Sequence, residues 1–104
     1  MEIDTLKTLY DYFPTSVFTG KSLVFVSEDW RVELTEHLNT DFSNTSKSVP
    51  VIRVKISKKA LNGEFIPGHY EDFNIIEPGD LATQIERYIQ AAVGKNIREY
   101  GIDD

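Results

Sequence analysis

There is no cysteine anywhere in this 104-residue chain. That excludes disulfides, thiolate nucleophiles and cysteine-ligated zinc together. No apolar run approaches the ~18 residues that a membrane-spanning helix needs. A cationic leader is also missing, because the chain opens "MEIDTLKTLYDYF", with acids where a signal peptide carries positive charge. Glycine-rich phosphate loops are absent. "TGKS" at 19–22 echoes the end of one, but the first glycine is missing and an apolar stretch follows where that motif requires a helix. No Gly-x-Ser-x-Gly nucleophile elbow occurs. Cations are few, 11 Lys and Arg against 17 Asp and Glu, for a net charge of −6. A surface so poor in positive charge disfavours a bulk duplex-DNA binder. The expectation is a soluble cytoplasmic protein without a cofactor. Small phage and mobile-element products belong to the same class of object.

What is present points to a folded globule. The chain is 40% hydrophobic and 12% aromatic, enough to build a core and too much for a disordered tail. Its length fits a single domain spanning 1–104. Ile3, Leu6, Leu9, Tyr10 and Phe13 recur at helical spacing, and Pro14 ends the pattern. "SLVFV" at 22–26 reads as a short buried strand. Residues 28–38 fit two templates. As a helix, Ser27 is the N-cap and Trp30, Leu34, His37 and Leu38 share one face. As a strand, Trp30, Val32 and Leu34 alternate and pair back to 22–26 through a "SED" turn. The helix is the preferred reading. Residues 39–48 are polar and read as a loop.

The clearest strand is 49–57, with Ile52, Val54 and Ile56 on one side and Arg53 and Lys55 on the other. Pro50 suits its start or an edge position. Asn62-Gly63 signals a hairpin with a type I′ turn. The returning strand starts near Glu64, with a bulge or second turn at 67–68. The strongest helix follows, with Asp80 as N-cap, a stripe of Leu81, Ile85, Tyr88, Ile89 and Ala92, and Gly94 as its stop. These elements predict an α+β fold. A small, mostly antiparallel sheet of three or four strands, including the Asn62-Gly63 hairpin, carries N- and C-terminal helices on one face.

The charges are segregated along the chain. Residues 27–42 hold Glu28, Asp29, Glu33, Glu36 and Asp41 against Arg31 alone. Residues 43–63 hold Lys47, Arg53, Lys55, Lys58 and Lys59 and no acid. Residues 64–80 return to acid, with Glu64, Glu71, Asp72, Glu77 and Asp80. The leading expectation is therefore a non-enzymatic interaction protein. An acidic face made of Glu28, Asp29, Glu33, Glu36, Glu71 and Asp72 would steer a protein partner, a basic one by charge. An inhibitor, an immunity-type protein or an adaptor fits that description. The alternative is a nucleic-acid module in which Arg53, Lys55, Lys58 and Lys59 track phosphates, with Tyr70 or Phe65 stacking on bases. Against it stands edge protection, in which lysines guard an exposed strand and pair weakly with Glu64 or Glu71. The third option is a small metal-dependent enzyme. On a helix Glu33 and His37 would share a face, and His69 with Glu71 or Asp72 could complete a site for a divalent metal. Ordinary solvated histidines are the competing reading. Monomer and homodimer are both compatible with the sequence.

Overall fold

A computed structural model of the chain describes residues 5–27, 29–40 and 48–94. Helix α1 (Thr5–Tyr10) comes first, followed by strands β1 (Val17–Phe18), β2 (Ser22–Val26), β3 (Trp30–Thr40), β4 (Ser48–Lys59) and β5 (Phe65–Asn74), and then helix α2 (Pro78–Val93). The five strands form one antiparallel sheet in the order β1-β2-β3-β4-β5. The α+β architecture agrees with the sequence reading, with more strands than expected. Residue Ile3, residues 41–47 of the expected loop and the tail after Gly94 lie outside the described residues. No helix among the described residues is long and apolar enough to cross a membrane.

The main correction concerns residues 28–38. They do not form a helix: 30–40 is the strand β3, paired with β2 on one side and β4 on the other. The spacing of Trp30, Leu34 and Leu38 satisfies both periods, because every fourth residue shares a face on a helix and on a strand. Val32 and His37 separate the two. Val32 is fully buried between Phe25 and Ile56, while His37 points to the opposite side of the sheet. The Ser27 hydroxyl does what a helix N-cap would do, accepting from the N–H groups of Asp29 and Trp30, but it closes a hairpin instead. Ser27 N–H bonds to the carbonyl of Trp30 to complete that turn.

Both helices cover the same face. Leu6, Leu9 and Phe13 from the first segment and Leu81, Ala82, Ile85 and Ile89 of α2 share one core with Leu23, Phe25, Val32, Leu34, Ile52, Val54 and Ile56. Every one of those strand residues has the same parity in the ladder. α2 opens at Glu77, not Asp80. The Glu77 carboxylate accepts from the N–H groups of Gly79 and Asp80, and Pro78 fills the first helical position, where a missing N–H costs nothing. Asp80 lies in the first turn, where the helix dipole favours an anion. Gly94 ends α2 with a φ of 84°.

The hairpin after β4 forms as expected, but its turn is not type I′. Only Gly63 takes a positive φ, and residues 61–63 link a final Ala60–Glu64 pair. The expected irregularity at 67–68 is a β-bulge, where Ile56 pairs with His69 and Ser57 with Pro67, leaving Gly68 unpaired. A Cβ on Gly68 would meet the Ile56 carbonyl at 3.3 Å. β4 is interior, so its lysines do not guard an edge. Pro50 is tolerated because β5 pairs only from Val51 onward, which leaves Pro50 a single neighbour, Leu38.

The strand assignment for β3 makes a sharp prediction. Leu34→Ala removes a fully buried side chain between Leu23 and Val54 and should cost about 2–5 kcal/mol in urea unfolding. Leu38→Ala, at 65% exposure, should stay within ~0.5 kcal/mol. A helix would bury both, so equal losses would overturn the strand.

Candidate functional site: the uncovered face of the sheet

The face opposite the helices is built by the alternate residues of each strand. β4 contributes Arg53, Lys55, Ser57 and Lys59, and β3 contributes Arg31, Glu33, Thr35, His37 and Asn39. β5 adds Phe65, Tyr70 and Asp72. Val17, Val24 and Val26 form an apolar strip on the β1–β2 side, where Val17 and Val26 are exposed.

A polar cluster spans β3, β4 and β5. Arg53 Nε donates to Asp72 Oδ1 at 2.8 Å, and its terminal nitrogen donates to Oδ2 at 3.0 Å. This two-pronged geometry is the strong form of an arginine–carboxylate pair. Asn39 reaches from β3 across β4 and donates to Asp72 Oδ2 at 3.0 Å. The Arg53 guanidinium stacks 4.1 Å from the ring centre of Tyr70. The hydrogen bond from Arg53 holds the Asp72 carboxyl below the usual carboxylate range, with Asn39 and the charges of Arg53 and His37 acting in the same sense and burial opposing. The bond to Asp72 likewise raises Arg53 further from neutrality. Both partners are driven toward their charged forms, as a fixed structural pair requires.

The expected acidic surface is divided. Glu33 and Asp72 lie on the uncovered face, Glu36 and Glu71 have the parity of the helix-covered side, and Asp29 sits in the β2–β3 turn. Glu28 lies outside the described residues. The two acids on the uncovered face are both engaged by arginines, Asp72 by Arg53 and Glu33 by Arg31 at 3.5 Å. The basic residues divide too. Arg53, Lys55 and Lys59 share the uncovered face, whereas Lys58 is on the other side, 5.5 Å from the Trp30 ring centre. Lys59 sits 5.4 Å over Phe65. Neither Glu64 nor Glu71 pairs with these cations.

The two histidines are separated by the sheet itself. His37 is on the uncovered face, and His69 is on the helix side, in edge contact with Tyr88 at 5.9 Å. Glu33 and His37 share a face, but four strand residues set them roughly 13 Å apart. The joint metal site therefore has no geometry to support it, and no group of three candidate ligands occurs among the described residues.

Sequence reading missed Asn39 and the pairing of Arg53 with Asp72. The signal was present: counting from the Gly63 turn with one extra residue at Gly68 brings Arg53 opposite Asp72. Tyr88 carries the one buried side-chain polar atom among the described residues that lacks a hydrogen bond. Burial raises its pKa, with the nearby charge of Glu71 adding to the shift.

Two predictions follow from these environments. Asp72 is depressed in the folded state, so its contribution is present above its unfolded value of about 4 and is lost as pH falls through that value toward the lower folded one. Asp72→Asn should flatten this acid limb in urea midpoints measured against pH, and superimposable profiles would rule the pair out as a stabiliser. Tyr88→Phe removes an unsatisfied hydroxyl, so stability at neutral pH should hold or rise by up to about 1 kcal/mol. A clear loss would reveal a partner for that oxygen.

Comparison with protein-family models, with curated proteins and with solved structures finds no match to this chain. Its function is argued from its own geometry.

Proposed function

We propose that this chain is a non-enzymatic interaction protein that docks a protein partner on the uncovered face of its sheet. One observation carries this reading: both helices pack on the same face of a five-stranded sheet, leaving the other face with a preassembled Asn39–Asp72–Arg53–Tyr70 cluster. An antiparallel sheet can leave one face to water, so exposure alone implies nothing. The composition of the face says more. Interface centres favour tyrosine and arginine, held rigidly beside apolar contacts. Here Tyr70 is 55% exposed, Arg53 is locked from two sides, and Val17 and Val26 present apolar surface at the far β1–β2 side of the same face. A side chain already fixed loses little entropy on binding. The ionisable pair Arg53–Asp72 is pushed away from neutrality at both ends, which suits a scaffold and not a proton-transfer group.

The reading differs from the acidic-face expectation in where contact occurs. Carboxylates divided between two faces cannot meet one flat partner together, which favours the cluster over Glu36 and Glu71 as the contact point.

The test is capture of a partner from the source organism, followed by affinity measurement with both proteins purified. Tyr70→Ala should weaken binding by about 30-fold, the loss of a 2 kcal/mol anchor. The double variant Glu36→Lys with Glu71→Lys should change it by less than about threefold. The reverse pattern would transfer the contact to the helix-side carboxylates. Failure to capture any protein would end the proposal.

A further inference from the structure

The charge on the uncovered face runs against that of the chain. Among its described residues, four cations, Arg31, Arg53, Lys55 and Lys59, accompany two acids, Glu33 and Asp72. The described part of the face is thus net positive on a chain of net −6. Both acids are already held by arginines. Among the described residues no carboxylate lies within ion-pair distance of Lys55 or Lys59, and both are exposed. Lys55 stands in register with Tyr70, and Lys59 with Phe65. Each lysine therefore lies beside an aromatic ring on the same surface.

We infer that the partner brings an acidic segment across β4, its carboxylates received by Lys55 and Lys59 and its apolar groups by Tyr70 and Phe65. This rests on the sheet-face reading above and adds the chemistry of the partner. Charge complementarity carries it. Exposed charges interact within about 8–10 Å in physiological salt. Among the described residues Glu36 and Glu71 have helix-side parity and Asp29 and Glu64 sit in turns, so next to the two lysines the local positive charge dominates. The two lysines lie four residues apart on one strand, roughly 13 Å, which is four residues of an extended partner strand.

Other occupants fit less well. A second copy docked face to face would bring two surfaces together that are both net positive among their described residues. A nucleic acid would extend its dense charge past the face onto the flanking carboxylates. It would also find only two lysines without a carboxylate partner among the described residues, against the roughly 6–10 phosphate contacts of a strongly salt-dependent binder. A basic partner would meet like charge.

The inference is tested by fluorescence anisotropy of labelled oligo-glutamate, oligo-lysine and oligothymidylate probes against the intact chain, at about 50 mM salt. Oligo-glutamate should bind, and Lys55→Glu with Lys59→Glu should weaken it by about tenfold or more. The neutral pair Lys55→Gln with Lys59→Gln should fall between. Both lysines are exposed, and an unchanged urea midpoint confirms that each variant folds. Binding of oligo-lysine or oligothymidylate in preference to oligo-glutamate would overturn the inference, as would no binding of any probe. The same reversal is then applied to the captured partner. If that partner depends on Tyr70 but ignores the lysine reversal, the acidic chemistry is wrong and the sheet-face reading stands. If it ignores both, the two fall together.

Discussion

The pairing of β3 with β4 is the constraint on which the rest of the molecule depends. It runs unbroken from Trp30↔Lys58 to Thr40↔Ser48, and every other strand is added outside it. Because side chains alternate, this one register assigns each residue of both strands to a face. Val32, Leu34, Ile52, Val54 and Ile56 all fall on one side and create the apolar surface that α1 and α2 must cover. With both helices drawn to that side, no helix among the described residues covers the opposite face. The candidate surface is thus a consequence of where the core is.

The bulge at Gly68 has an effect out of proportion to one residue. Without it, continuing the register from the turn would put Arg53 opposite Glu71 and leave Asp72 on the helix side. With it, Arg53 meets Asp72, and Glu71 turns toward Tyr88. Glycine at 68 keeps clear the tight 3.3 Å contact that a Cβ would make with the Ile56 carbonyl as the extra residue is absorbed. The same irregularity, with Pro67 beside it, interrupts the outer edge of β5 and makes it a poor template for another strand.

Parity also reorganises charge. Along the chain the acids and bases form blocks, and a block suggests a patch. In a strand, neighbours in sequence are on opposite faces, so each block is split. Arg53, Lys55 and Lys59 are separated from Lys58, and Glu33 and Asp72 from Glu36 and Glu71. Among the described residues the face that results is a net cationic surface with paired acids, which no linear tally of charge would indicate.

The sequence alone determined the elements whose signals are local. β2, the alternation of β4, the hairpin at Gly63, the irregularity at 67–68, and α2 with its Gly94 stop were all legible, because propensity, period and turn chemistry act within a few residues. The helix-or-strand choice for 30–40 was not legible. Trp30, Leu34 and Leu38 obey both periods, and Ser27 can close a hairpin as well as cap a helix. Only burial of Val32 against β2 and β4, a contact between distant segments, decides it. The partners of Arg53, the opposite placement of His37 and His69, and the bare face itself were likewise decided by tertiary structure. They depend on register between strands, and a register is a relation that no single stretch of sequence contains.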